Sequence, residues 1–444
     1  YDVAPFKAQN MSLNSGVTAM GEEMGRAQIV QAQAARIDPE ALMNPVLLKP
    51  HSETGSQIIV LGKPVGHMQA REYFRYKAGL WQTVRDAYDT LADRHEVMVL
   101  EGAGSPGEVN LKQHDIVNMR MAAHAQASVL LVGDIDRGGV YASLLGTWMT
   151  LEQQERSLLA GWLVNKFRGD RAILQPGIDI LEKICGVPVA GVIPYTHVDI
   201  DDEDSLSTRF HTGDGRKDID IAVVKLPRIS NFTDVSPLER FESVSVRYIE
   251  RPDQLHQPDM ILLPGTKSTI ADLLWLRQSG LEAAICQQAA RGCIVFGICG
   301  GYQMLGASVR DPLGVEAAGV TEIKGMGLLP MDTVFQGEKV QQQTSGVFGE
   351  IPGALHSLSG MKYTGYEIHM GISRPEGDCE PFCRIRDEIT GKERTDGIFA
   401  GKVCGTYVHG IFDHGSIAGK IVRHLAERKG LVLGEDGVDY GLFK

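Results

Sequence analysis

Residues 293–303 read Cys-Ile-Val-Phe-Gly-Ile-Cys-Gly-Gly-Tyr-Gln. The run from Cys293 to Ile298 shows no polar alternation, which marks a strand covered on both faces. It ends in Gly297-Ile298-Cys299-Gly300-Gly301, and a helical stretch follows. A thiol between glycines at such a bend has the pattern of a nucleophile elbow. The central residue is held in strained backbone geometry, and its neighbours approach too closely for any Cβ. A buried free cysteine beside a tight turn fits the same residues equally well.

Two flanking stretches bear on that choice. Upstream, Leu262-Leu263-Pro264-Gly265-Thr266-Lys267-Ser268-Thr269 reads as a strand ending in a Pro-Gly turn. Its free N–H groups, with those after Cys299, are expected to line an oxyanion hole. Downstream, Val403-Cys404-Gly405-Thr406-Tyr407-Val408-His409-Gly410 sets a histidine at the end of another strand. Nucleophile and base meet in space and need not be neighbours in sequence.

Further out, similar apolar runs recur at 96–100, 128–132, 161–164, 187–193, 219–226, 243–249 and 260–263. Helical stretches such as 118–126 and 171–185 lie between them. Strand and helix in turn predict open parallel α/β sheets joined by right-handed crossovers, with ligands at the carboxyl ends of the strands. After Gly325 the strands shorten and glycines multiply, as in an antiparallel extension of a sheet. A closing helix over 416–429 is expected to stop at Gly430. The acidic, aperiodic stretch 199–218 reads as a linker. It divides the chain into an N-terminal domain, 1–198, and a C-terminal domain, 219–444.

Composition bounds the function. The chain has 444 residues, 43 % hydrophobic and 23 % charged, with a net charge of −12. That balance lacks the basic footprint of a nucleic-acid binder. No apolar run approaches the ~20 residues of a membrane span. The opening Tyr1-Asp2, with no apolar stretch behind it, does not read as a secretion signal. Seven cysteines in so long a chain suit reduced thiols in a cytoplasm. A zinc reading of Cys379 and Cys383 lacks a second ligand pair. The partners expected are small molecules, with no nucleic acid or membrane and a homo-oligomer left open.

FGICGGYQ (296–303), LPGTKST (263–269) and GTYVHGIF (405–412) resemble the class I, triad-type glutamine amidotransferase domain found in the cobyric acid synthase family. The resemblance implies that Cys299 attacks the glutamine amide and releases ammonia, with His409 as base and acid. It also implies oxyanion or glutamine contacts at Gly265, Gly300, Gly301 and Tyr302. Many triad-type relatives carry Glu two residues after the histidine, whereas this chain has Ile411. A third carboxylate is therefore unassigned, with Glu367 and Asp413 as weak candidates. His369, in the family-like Tyr366-Glu367-Ile368-His369, is a rival base.

The N-terminal half resembles the same family in FKAQNMSLNS (6–15), MNPVLLKP (43–50), EGAGSP (101–106), GDIDRGG (133–139) and NKFRGD (165–170). From the residues alone, Glu101 after an apolar strand and before glycines suits a Mg²⁺ ligand, though a plain Gly-rich turn fits as well. The resemblance implies a P-loop-type, dethiobiotin-synthetase-like domain that uses ATP and Mg²⁺ to activate substrate carboxylates. Glu101 would ligate the metal, and Lys7, Asn10 and Lys49 would face phosphate or substrate. Asp134 and Asp136 would lie near metal or substrate, and Asn165 near adenine. No Gly-x-x-x-x-Gly-Lys-[Ser/Thr] run occurs, so the family's first strand and P-loop are absent from this chain. The implied substrate is a corrinoid, adenosylcobyrinic acid a,c-diamide, and a basic stretch over 49–77 would suit that polyanion. LPRISNFTD (226–234) also matches the family and is expected to couple the two sites or bind substrate. Competing readings are the related a,c-diamide synthase and a catalytically silent module of the same fold.

Overall fold

The computed structural model of the protein describes residues 1–51, 55–196, 203, 217–316, 319–377 and 379–432. The expected linker, 199–218, lies outside the described residues except at positions 203, 217 and 218. The chain forms two compact units. The first comprises Tyr1–Asn10, Gln31–Leu48 and Thr54–Ile200; the second comprises Met11–Val30, Lys49–Glu53 and Asp201–Lys444.

In the first unit, Val3–Phe6 pairs in parallel with Val97–Leu100. A separate parallel sheet runs in the order Val189–Pro194, Leu159–Phe167, Val129–Asp134. These strands form where the sequence is rich in Val, Leu and Ile, whose branched side chains suit a pleated surface. Helix Arg171–Cys185 starts where the Asp170 carboxylate accepts from Ala172 N, and it stops at Gly186 in the left-handed conformation. Trp162, fully buried, packs with Val140, Leu144, Leu159 and Leu181 between this sheet and its helices. The hairpin Gly55–Val60/Lys63–Gln69 lacks a clean sequence alternation. Its two-residue turn puts both Leu61 and Gly62 at positive φ.

The second unit is built on one mixed sheet. Its parallel part runs Val244–Ile249, Ile219–Val224, Met260–Leu263, Ile294–Ile298, Val403–Thr406. Antiparallel strands Glu393–Ala400, Pro381–Asp387 and Met331–Phe348 continue it, as expected after Gly325, but the strands there are not shorter, since Met331–Phe348 runs 18 residues. Every residue of Met260–Leu263 and Ile294–Ile298 is buried, which explains why neither run alternates. Each large aliphatic side chain so buried contributes about 1.5–3 kcal/mol. Helix Gly415–Arg428 closes the unit with Ile417, Ile421, Val422 and Leu425 inward.

The antiparallel hairpin Ser15–Val17/Glu23–Gly25 also belongs to this second unit. Its anchor is Glu23, fully buried between Lys49 Nζ at 2.8 Å and Lys339 Nζ. Burial alone would raise the Glu23 pKa, but the two ammonium groups outweigh it and hold it well below the ordinary carboxylate range. The sign follows: this stabilisation is complete above the unfolded value of 4.5 and is lost as pH falls through the lowered folded value. Glu23→Gln would leave two buried cations without their counter-charge. Such a broken buried pair costs about 3–5 kcal/mol. The variant should melt clearly below wild type at pH 7, with the gap closing toward low pH. An unchanged midpoint would contradict this account of the hairpin.

Candidate active site

The expected bend is present. Cys299 follows strand Ile294–Ile298 and precedes helix Gly300–Met304, with φ 50° and ψ −108°. A positive φ at a non-glycine residue costs of order 1–3 kcal/mol and is retained where the surroundings over-determine it. The surroundings are explicit. A Cβ on Gly301 would lie 2.0 Å from Leu263 O, and one on Gly300 would lie 2.6 Å from Thr266 Cγ2 and 3.1 Å from Thr266 N. The Gly-Gly pair thus lets the 263–266 loop close against the elbow. That loop is pinned from below, since Thr266 Oγ1 donates to Asp272 at 2.5 Å and Arg228 N donates to the same carboxylate at 3.1 Å. Burial raises the Asp272 pKa to about 6.

His409 arrives from the next parallel strand. It is 1 % exposed, and Gly265 lies against it, since a Cβ there would sit 3.0 Å from His409 Cε1. The Cys299 charge acts on this imidazole, and the thiol itself donates to Ile368 O at 3.5 Å. Its Nδ1 is 2.7 Å from Asp234 Oδ2, so the other ring nitrogen, Nε2, is not used by that carboxylate, and Asp234 Oδ1 accepts from Gly410 N at 2.8 Å. Burial acts to lower the histidine's pKa. The Asp234 and Cys299 charges outweigh it and push the value up to about 10. The resulting Cys-His-Asp arrangement places a proton on the imidazole beside the sulfur, the geometry of an activated thiol nucleophile.

Asp234 is the residue that sequence reasoning missed as the third member. It lies in the 226–234 segment that carries the family resemblance, so the sequence held a signal, though no spacing links that segment to His409. Glu367 instead accepts from Arg394, from Gln342 at 2.6 Å and from His369 at 3.3 Å, all away from His409. Asp413 lies 3.7 Å from Arg26. His369, the rival base, has Nδ1 on Gly371 O at 2.8 Å and its ring stacked on Tyr407 at 3.8 Å. Tyr302 is 2 % exposed and meets Tyr407 edge-on. It lines a cavity of about 520 Å³ with His369, Ser373, Arg394 and Asp396, to which Cys299 does not contribute.

In the first unit the candidate residues gather at carboxyl ends of parallel strands. Lys7 Nζ contacts Glu101 Oε1 at 2.8 Å, and Gln31 donates to Glu101 Oε2 at 2.7 Å. Asn165 is in register with Asp134 on the neighbouring strand. Lys166 Nζ contacts Asp134 at 2.9 Å and holds its carboxyl below the usual range, while Arg168 pairs with Asp136. Asn10 is buried. Lys49 falls in the second unit, where its ammonium touches Glu23 and Ser15 Oγ, each at 2.8 Å.

Among the described residues no group of three or more His, Cys, Asp or Glu side chains is placed to hold a metal ion. Mg²⁺ carried on a nucleotide takes one or two carboxylates and fills its other positions with phosphate and water. The Glu101 side chain is 40 % exposed and can serve as such a ligand.

The model of the CobB/CobQ-like glutamine amidotransferase domain matches residues 220–417, and that of the CobQ/CobB/MinD/ParA nucleotide binding domain matches residues 1–206. A cobyric acid synthase of Ruminiclostridium cellulolyticum is 52 % identical over 433 residues, covering 97 % of this chain and 84 % of the relative. One from Lachnoclostridium phytofermentans is 53 % identical over 446 residues, covering 97 % and 86 %. One from a Thermoanaerobacter species is 45 % identical over 448 residues, covering 100 % and 88 %.

Proposed function

The chain belongs to the cobyric acid synthase family, and on that premise we propose that it amidates the b, d, e and g carboxylates of adenosylcobyrinic acid a,c-diamide with nitrogen drawn from glutamine. It is a glutamine-dependent amidoligase of cobalamin biosynthesis that uses ATP. The observation that carries the finer reading is the Cys299–His409–Asp234 arrangement on an elbow closed by Gly265 and Gly300.

In this mechanism the Cys299 thiolate attacks the side-chain amide carbon of glutamine. Backbone N–H groups of the 265–266 loop and of Gly300 face the oxygen as it gains charge. His409 passes its proton to the departing nitrogen, which leaves as ammonia, and then takes a proton from the water that hydrolyses the thioester. Asp234 fixes the imidazole's orientation and balances its charge. ATP with Mg²⁺, when bound, supplies the phosphoryl group that makes a carboxylate electrophilic, and Glu101 would ligate the metal. Lys7, Asn10, Asp134, Asp136 and Asn165 are assigned to ATP or substrate. Lys49 is assigned to phosphate or substrate as well; like Lys7 with Glu101, it has a carboxylate partner, Glu23, at 2.8 Å.

No helix among the described residues is long and apolar enough to cross a membrane. We place the enzyme in the cytoplasm on the strength of its seven unpaired cysteines. The deciding experiment incubates the protein with cobyrinic acid a,c-diamide, ATP, Mg²⁺ and glutamine and weighs the products. Successive acid-to-amide conversions beyond the diamide are expected. A diamide left unconverted, beside a parallel incubation in which cobyrinic acid itself gains only the a and c amides, would move the assignment to the a,c-diamide synthase. Absence of any glutamine hydrolysis would leave only a silent module.

A further inference from the structure

The hairpin Ser15–Val17/Glu23–Gly25 belongs to the second unit, where it meets Tyr366 and Asn231, residues that flank the His409–Asp234 hydrogen bond. On the side of His409 stands Tyr366. Its backbone exchanges two hydrogen bonds with the histidine, Tyr366 N to His409 O at 3.2 Å and His409 N to Tyr366 O at 2.8 Å. Its ring stacks on the imidazole, with centroids 5.3 Å apart and planes 22° from parallel. The phenol points onward, donating to the Ser15 carbonyl at 3.1 Å and accepting from the Asn231 amide at 2.9 Å.

On the side of Asp234 stands the short turn Phe232–Val235, which Asn231 opens from a left-handed conformation at φ 51°. The Asn231 amide also donates to the Ser15 carbonyl, at 2.8 Å, and Thr233 Oγ1 donates to Asn14 Oδ1 at 3.2 Å. One carbonyl oxygen, that of Ser15, therefore ties the residue stacked on the base to the turn that carries its carboxylate. Ser15 is itself fixed, since its hydroxyl donates to Glu23 and accepts from Lys49, both at 2.8 Å. None of these groups is open to water: Ser15 is 0 %, Asn231 2 % and Tyr366 6 % exposed. A buried tie of this kind holds geometry rigidly, because letting go leaves polar atoms unsatisfied.

We propose that Tyr366, tethered through its hydroxyl to the Ser15 carbonyl and Asn231, is a positioning residue that holds His409 and Asp234 in register for glutamine hydrolysis. The proposal rests on the reading of Cys299 and His409 as the glutaminase pair. Burial keeps the phenol protonated, with the Asp234 charge acting in the same direction, so the hydroxyl remains a donor to Ser15. The other ionisable groups around the imidazole are Cys299 and Asp234. Asp413, paired with Arg26, faces Gly410 beside it.

Tyr366→Phe in the full chain isolates the tether, since the ring, its stacking and the backbone bridge all remain. Glutamine hydrolysis by wild type and variant, measured as glutamate release across pH, separates positioning from simple packing. The kcat should fall about ten-fold, with KM for glutamine within about two-fold, as expected when one buried hydrogen-bond tie is lost. The basic limb of kcat/KM should also move to lower pH, because an Asp234 no longer held in place raises the His409 pKa less. A loss of rate with the basic limb at its wild-type pH would overturn the proposal, as would unchanged kinetics. Wild-type protein that releases no glutamate would overturn the glutaminase reading instead.

Discussion

Replacing Cys299 with alanine is expected to lower glutamine hydrolysis by about 10⁴-fold or more, since no other group can form the thioester. The same protein should still amidate corrinoid carboxylates when ammonium salt replaces glutamine, provided ATP binding is intact. The two activities separate because the thiol only liberates nitrogen, whereas carboxylate activation is assigned to residues of the first unit such as Lys7 and Glu101. The substitution is mild for the fold. Alanine keeps the Cβ, and the elbow's shape is set by Gly300 and Gly301 against the 263–266 loop. Loss of both activities in a correctly folded variant would argue against separate sites.

Asp234→Asn should be nearly as damaging, lowering kcat/KM for glutamine by about 10²–10⁴-fold, in the range that loss of a triad carboxylate produces. The amide can still accept from Gly410 N, so the turn is preserved while the negative charge is removed. That charge is the main force raising the His409 pKa to about 10 against burial. Without it the imidazole loses its proton at a lower pH, and the basic limb of kcat/KM should shift down accordingly. A stability effect with a definite sign accompanies this. A raised histidine pKa stabilises the fold fully below the unfolded value of 6.5, and the contribution fades as pH rises toward about 10. Wild type should therefore lose part of its advantage over Asp234→Asn in thermal unfolding as pH climbs through that window. A pH-rate profile with an unmoved basic limb would show that another group holds the histidine's proton.

Much of the second unit was legible in the residues. The elbow could be read because its causes are local: an uninterrupted apolar strand, a strained residue, and glycines where a Cβ would strike Leu263 O or Thr266. The parallel strands were legible for a related reason, because runs such as Met260–Leu263 carry no polar face to hide. His409 stood out by ending such a strand. The opening of the chain was harder to read. Its strands Gln9–Met11, Ser15–Val17 and Glu23–Gly25 are three residues long and show no periodicity, so nothing in the residues announced them.

By itself, then, the sequence determined the α/β class, the strand-to-helix bend at Cys299 and the family to which the chain belongs, because backbone strain and apolar burial leave marks within a few residues. Only the tertiary structure decided that Asp234, 175 positions before His409, completes the site, and that Ser15 and Lys49 belong to the amidotransferase unit. A carboxylate in an aperiodic loop carries no local sign of its partner. Its role comes from the path of the loop: two strands separate Ile219–Val224 from Val403–Thr406 in the sheet, and the 226–234 segment, bridged to Thr266 at Ile229, carries Asp234 across to His409.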